Sequence, residues 1–324
     1  MKPAAGSSNA PAEPRQLVKV AAAVIQRPDG QFLLAQRPAG KPYPGYWEFP
    51  GGKMEAQESS EQALKRELKE ELGIHIEEIY PWITRIYHCT HASVELHFHR
   101  VVRWTGQPHG RESQQLAWQS VKAVKVAPLL PANSAVLRAL ALPEHYAISN
   151  VAELGREKFM RRLEQSLQGG LRLVQLREKN MPHAELKELA AEVIALAHRH
   201  QALVLLNSEF LLAQELAADG VHLTSAQLMR LDQRPLLPWC GASCHNREEL
   251  QRAAEMGVDF VVLGPVLPTP SHKSLPAMGW DEFGRLVAGF SLPVYALGGM
   301  RSPHLRTAWQ HGAHGIAMLR GAWA

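Results

Sequence analysis

The chain has 324 residues, of which 46% are hydrophobic and 20% charged, a balance too apolar for disorder along its whole length. At roughly 100–200 residues per domain, that length implies two folded units, and a formal charge of 35 − 31 = +4 gives no reason to expect direct nucleic-acid binding. Three widely spaced cysteines, Cys89, Cys240 and Cys244, imply no disulfide framework and fit a reducing cytoplasm, and no apolar run reaches the ~20 residues of a membrane span.

Residues 1–16, rich in Ala, Pro and Ser and lacking the apolar stretch of a secretory signal, read as a disordered leader. Strand-like runs at 18–25 and 31–35, joined by Pro28-Asp29-Gly30, predict a β-hairpin. A Pro/Gly-rich loop over 38–52 leads to a helix over 60–72, opened by the capping-box pair Ser59 and Gln62 and stopped by Gly73. Strands at 84–88 and 94–104 follow, then a short helix over 134–142, and Pro143 opens the second unit. The expected division is therefore 17–142 and 143–324.

In the second unit apolar runs at 145–149, 173–176, 203–206, 220–223, 240–243, 260–264, 294–297 and 315–319 alternate with helical stretches. Continuous apolar strands separated by helices imply a parallel sheet covered on both faces, and eight such units suit a (β/α)₈ TIM-type barrel. It would be smaller than the ~250 residues usual for that fold; a doubly wound open sheet is the alternative.

On the first helix, Glu67, Glu70 and Glu71 stand at i, i+3 and i+4 and share one arc beside the core stripe of Leu64, Leu68 and Leu72. Gln62, Lys65, Arg66 and Lys69 are expected on the opposite side. An acid-rich solvated face is the plain interpretation, but like charges at a core margin repel unless a cation compensates them, and oxygen-only ligands favour Mg²⁺, with Mn²⁺ as the other candidate.

Gly52, Glu58, Arg66, Glu67, Leu68, Glu70, Glu71, Gly73 and Ile74 follow the spacing G-x5-E-x7-R-E-L-x-E-E-x-G-I, and on these residues the first unit resembles the Nudix hydrolases. The resemblance implies an α/β/α sandwich with a mixed sheet, whose loop and helix bind divalent cations and hydrolyse a nucleoside diphosphate linked to another group. It extends to the MutT branch through Gln36-Arg37-Pro38, the run from Trp47 to Lys53, and Pro131-Ala132-Asn133. That likeness implies that Arg37, Phe49 and Asn133 hold an 8-oxoguanine nucleotide and that Glu67 is the general base. It further implies that Gly51, Glu67, Glu70, Glu71 and Glu112 hold metal, while Lys53, with Arg66, serves the catalytic phosphates. Taken singly, Arg37 could be a surface charge, Phe49 core, and Asn133 a helix N-cap.

His88, Cys89, His91, His97 and His99 raise zinc, yet no paired ligand spacing is present, and strand histidines are the simpler interpretation.

The second unit is similar to the thiamin phosphate synthases and their TenI-like relatives. The likeness rests on Val174 to Lys179, Ala218 to Leu223, Gly264 to Pro270 and Ala296 to Met300, at the carboxyl ends of predicted strands. It implies a site for a thiamin-related phosphate built from Gln175, Arg177, Lys179, Asn207, His245, Thr269, Lys273, Gly298 and Gly299. Two metal-binding aspartates of the synthases are replaced by Ser208 and Gln227, so Mg²⁺ binding and synthase activity should be lost. His245 lies near the place of a catalytic histidine in TenI-like proteins, which leaves thiazole tautomerisation open beside a scaffold with no chemistry.

The resulting expectation is a cytoplasmic, Mg²⁺-dependent nucleoside triphosphate pyrophosphohydrolase that prefers 8-oxo-dGTP and so prevents mutation. The alternatives are a bifunctional thiamin-pathway enzyme, and a barrel that only senses a ligand. Oligomeric state is not legible.

Overall fold

In the computed structural model, which describes residues 17–88, 93–269 and 276–324, the first apolar run forms β1 (Leu17–Ile25). The expected leader, Cys89, His91 and Lys273 lie outside the described residues. The turn after β1 forms as its residues predict, with Gln31 N donating to Asp29 Oδ1 (3.0 Å) and Gly30 N to Arg27 O (2.9 Å). The expected hairpin does not. Only Gln26 and Phe32 bridge, and β2 (Phe32–Gln36) departs into another sheet. Both strands are apolar on both faces, so each needs cover on two sides, which a lone hairpin cannot give.

The next elements are β3 (Trp47–Glu48), β4 (Gly51–Lys53), α1 (Ser60–Leu72), β5 (His75–His88), β6 (Ser93–Thr105), β7 (Leu116–Gln119) and α2 (Asn133–Leu140). A mixed sheet ordered β4-β1-β6-β5 and an antiparallel sheet ordered β3-β2-β7 lie between the two helices. Alternation along β1 sends Ala21, Ala23 and Ile25 against Leu64, Leu68 and Leu72 of α1, and Ala22 and Val24 toward Phe49, Phe98 and Val136 beneath α2. Each buried leucine of α1 contributes about 1.5–3 kcal/mol by leaving water. β5 begins at His75, earlier than expected; Pro81 weakens the strand signal and stands where the β5–β6 register breaks.

The second unit contains β8 (His145–Ile148), α3 (Val151–Leu154), α4 (Arg156–Gln168), β9 (Leu173–Leu176), α5 (His183–Arg199), β10 (Leu203–Asn207), α6 (Phe210–Glu215), β11 (Gly220–Leu223), α7 (Ser225–Arg230), β12 (Trp239–Cys244), α8 (Arg247–Met256), β13 (Phe260–Leu263), α9 (Gly279–Val287), β14 (Val294–Leu297), α10 (Leu305–Gln310) and β15 (Gly315–Met318). All eight expected strands pair in parallel, and β15–β8–β9 close the ring, so the sheet is a barrel rather than open. Tyr146, Phe260 and Tyr295 fill its interior with edge-on and tilted rings. No helix among the described residues is long and apolar enough to cross a membrane.

The first unit covers the amino-terminal end of the barrel. Arg100 of β6, 2% exposed, donates to Glu144 Oε1 (2.8 Å) and lies 2.9 Å from His314 Nδ1, beside the Trp82 and Trp309 rings. Thr84 N donates to Phe290 O (3.0 Å), and Arg138 pairs with Asp259 over Trp239. Glu144, Asp259, Phe290 and His314 all precede barrel strands.

Candidate functional site

Helix α1 starts where its residues dictate: Ser59 Oγ accepts from Gln62 N and the Gln62 side chain accepts from Ser59 N, a complete capping box, and Gly73 ends it in the left-handed region at φ 68°. That fixes the rotation of the acids. Glu67 lies across the loop before the helix, and a Cβ at Gly52 would stand 2.1 Å from its carboxyl carbon. Any side chain at position 52 displaces this carboxylate.

The acids come to one face but not into one cage. Among the described residues, no three His, Cys, Asp or Glu side chains are close enough to share an ion. Two cations stand between them instead. Arg66, expected on the opposite side of the helix, instead borders the acids and meets Glu58 (2.9 Å), Glu67 (2.8 Å) and Glu70 (3.6 Å), because it stands four positions before Glu70 and so on the neighbouring strip of the helix. Glu58 and Glu67 raise its pKa further. Lys41, which the sequence did not single out, places Nζ 3.0 Å from Glu71 Oε1 and 2.9 Å from Glu112 Oε2. Burial pushes the Glu71 carboxyl above its usual pKa, with the Lys41 bond opposing that shift.

Glu112 reaches the helix through Gln114, another residue the sequence did not reveal. Its amide donates to Glu71 O (3.0 Å) and its Oε1 accepts from Glu112 N (2.7 Å), while Arg111 N also donates to Glu71 O. A cation between Glu71 and Glu112 shows that this pair suits positive charge, and the all-oxygen donor set suits a hard divalent ion. Lys53 is exposed on β4, and its carbonyl accepts from Arg66. Gly51 pairs with Ala22 of β1.

Arg37, Phe49 and Asn133 all gather about β3. Arg37 Nη1 is 2.5 Å from Glu48 Oε2, and its buried Nε has no partner. Burial raises the Glu48 pKa, with Arg37 opposing. Phe49 is buried between Phe32 and Phe98. Asn133 is no N-cap: Ala132 precedes the helix in helical conformation, and Asn133, buried in the first turn, donates to Trp47 O (3.1 Å). Of the histidines, His97 meets Glu95 and Thr84, and His99 meets Ser60.

In the barrel a cavity of about 670 Å³ opens at the carboxyl ends of the strands, lined by Gln175, Arg177, Lys179, Asn207, His245, Thr269, Gly298 and Gly299. Burial lowers the Arg177 pKa, and Arg177 in turn lowers that of Lys179, so both cations would gain from an anion. His245 binds Glu249 through its backbone N and its Nδ1 (3.0 Å). Gln227 is committed elsewhere: its Oε1 accepts from Thr224 N in the capping box of α7, and its Nε2 donates to Ser208 O (3.1 Å). Ser208 and Gln227 are thus neutral residues bound to each other. Gly298, at φ 104°, would set a Cβ 2.8 Å from Pro265 Cα, so close packing already requires it.

A family model described as thiamine monophosphate synthase matches residues 145–322, and one described as the NUDIX domain matches 16–140. Over 178 residues a protein of Aquifex aeolicus (strain VF5) is 37% identical, covering 54% of this chain and 95% of that protein. The thiamine-phosphate synthase of Desulfitobacterium hafniense (strain DSM 10664 / DCB-2) is 31% identical, covering 54% and 86%. A MutT structure from a comparison of the Aliivibrio salmonicida and Vibrio cholerae proteins is 35% identical, covering 39% of this chain and 97% of that one at a TM-score of 0.34.

Proposed function

We propose, for a chain that belongs to the thiamine monophosphate synthase family and carries a NUDIX domain ahead of its barrel, that the first unit hydrolyses phosphoric anhydrides of nucleotides and prefers 8-oxo-dGTP, giving the monophosphate and pyrophosphate. The observation that carries this is Glu67 laid on Gly52 while Glu71 and Glu112 converge on one cation. NUDIX hydrolases generally use divalent metals such as Mg²⁺, and Glu67, Glu70, Glu71, Glu112 and the Gly51 backbone are the groups that would hold one here. Bound Mg²⁺ supplies neutralisation of the phosphates and a lowered pKa for water.

Glu67, oriented by Arg66, accepts the proton of the attacking water. Lys53 extends from β4 toward the phosphates. Arg37, paired with Glu48, and Asn133, whose amide donates to Trp47 O, are the polar groups that would meet a purine, with Phe49 as the neighbouring ring.

The test is release of pyrophosphate from 8-oxo-dGTP, dGTP and other nucleoside triphosphates, and of orthophosphate from thiamin diphosphate, with Mg²⁺ and then with a chelator. The expected result is strong preference for 8-oxo-dGTP, loss on chelation, and a fall of about 10²–10⁴ in kcat for Glu67→Gln. Equal turnover of dGTP removes the oxidised-purine preference. Thiamin diphosphate as best substrate would recast both units as one vitamin-related enzyme.

A second reading concerns the barrel: the Ser208–Gln227 pair favours a site for a thiamin-related phosphate that needs no metal and makes no thiamin phosphate. Calorimetry on the full chain with thiazole and pyrimidine phosphates should show binding that Mg²⁺ leaves unchanged; no binding to either compound sinks it.

A further inference from the structure

Lys41 belongs to the loop between β2 and β3, four positions after Arg37 and far in sequence from the acids it touches. Its backbone is held lightly, by one long bond from its N to Pro38 O (3.4 Å), and its side chain is 43% exposed. Glu71 beneath it is 11% exposed. A half-exposed ammonium therefore neutralises a nearly buried carboxylate together with a more open one, Glu112. An ammonium and a divalent ion cannot both occupy the point between two carboxylates. Lys41 also acts electrostatically on Glu48, the partner of Arg37, which places it between the acids and the Arg37–Glu48 pair.

We propose that Lys41 is the internal counter-ion of the acid site: its ammonium holds Glu71 and Glu112 together until a divalent cation displaces it, and the released ammonium then binds the phosphate chain of the substrate. The inference rests on the reading of Glu71 and Glu112 as metal-holding acids. It makes Lys41 a substrate-binding residue that raises the concentration of metal needed to load the site and lowers the concentration of nucleotide needed to fill it.

The test measures Mn²⁺ binding to the full chain by calorimetry, without nucleotide, for the wild type, Lys41→Met and Lys41→Arg. Because Lys41 sits on a half-exposed loop, neither substitution opens the core. Lys41→Met should bind Mn²⁺ at least fivefold more tightly than the wild type, and Lys41→Arg should restore the wild-type value. At saturating Mn²⁺, Lys41→Met should raise KM for the nucleoside triphosphate at least fivefold with kcat within twofold, again rescued by arginine. Mn²⁺ affinity in Lys41→Met equal to or weaker than wild type overturns the counter-ion role, and an unchanged KM overturns the phosphate role. If no nucleotide is hydrolysed yet Lys41→Met still tightens Mn²⁺ binding, the hydrolase reading fails and the counter-ion stands.

Discussion

His222 is fully buried on β11, its Nδ1 3.2 Å from the Tyr146 hydroxyl and its Nε2 3.0 Å from Ser243 Oγ. Burial, aided by the charge of Arg177, pushes its pKa down to about 3 from an ordinary 6.5, so the ring is neutral wherever the barrel is folded. Because the unfolded chain takes up the proton first, the contribution is intact above pH 6.5 and is lost as pH falls from there toward 3. Between pH 7 and 5 this one ring should cost about 2 kcal/mol of stability. His99, lowered to about 4 by burial, acts in the same direction. Urea unfolding at the two pH values should show a smaller acid loss in His222→Gln than in the wild type; equal losses would place the pH dependence elsewhere. At this scale the sequence located Glu67, Glu70 and Glu71 by helical spacing alone. It could not locate Lys41, because a lysine in a Pro/Gly-rich loop carries no periodic signal and its partners lie 30 and 71 positions away.

Elements were legible where their signals are local. Helix α1 begins at Ser60 and ends at Leu72 as expected, since Ser59, Gln62 and Gly73 each act within one turn. Ser59→Ala removes one side of the capping box and should cost about 1 kcal/mol. Since α1 also carries the acids, fraying of its first turn is expected to reach the Arg66–Glu58 bond, so thermal unfolding and pyrophosphate release should fall together. Lowered stability with unaltered turnover would show that the cap supports the fold alone. The hairpin failed for the opposite reason. A turn sequence fixes only the turn, whereas the partners of β1 are chosen by burial, and β6 and β4 cover it better than β2 does. In the barrel, eight apolar runs sufficed to place the strands, because a strand buried on both faces needs no alternation to be recognised.

Across the whole molecule, the first unit seals the amino-terminal end of the barrel while the barrel cavity opens at the other. Arg100 is the centre of that seal, bonded to Glu144 and His314 and flanked by Trp82 and Trp309, and His314 Nε2 in turn contacts Leu142 O at 2.9 Å. Truncation to Arg100→Ala removes a buried guanidinium and its hydrogen bonds, while Glu144 stays partly hydrated, and should cost about 1–3 kcal/mol. Calorimetric melting should then change from one transition toward two; a single transition at the wild-type temperature would mean that the seal holds nothing together. By itself the sequence determined the eight barrel strands, the capped helix and the arc of three glutamates, since each follows from chemistry within a few residues along the chain. Only the tertiary structure decided that Arg66 and Lys41 stand among those acids, that Gln114 draws Glu112 to them, and that an arginine of one unit is buried in the base of the other. These contacts join residues tens to hundreds of positions apart, and the free energy that selects them, the burial of charge against a partner, does not exist until the chain has closed around it.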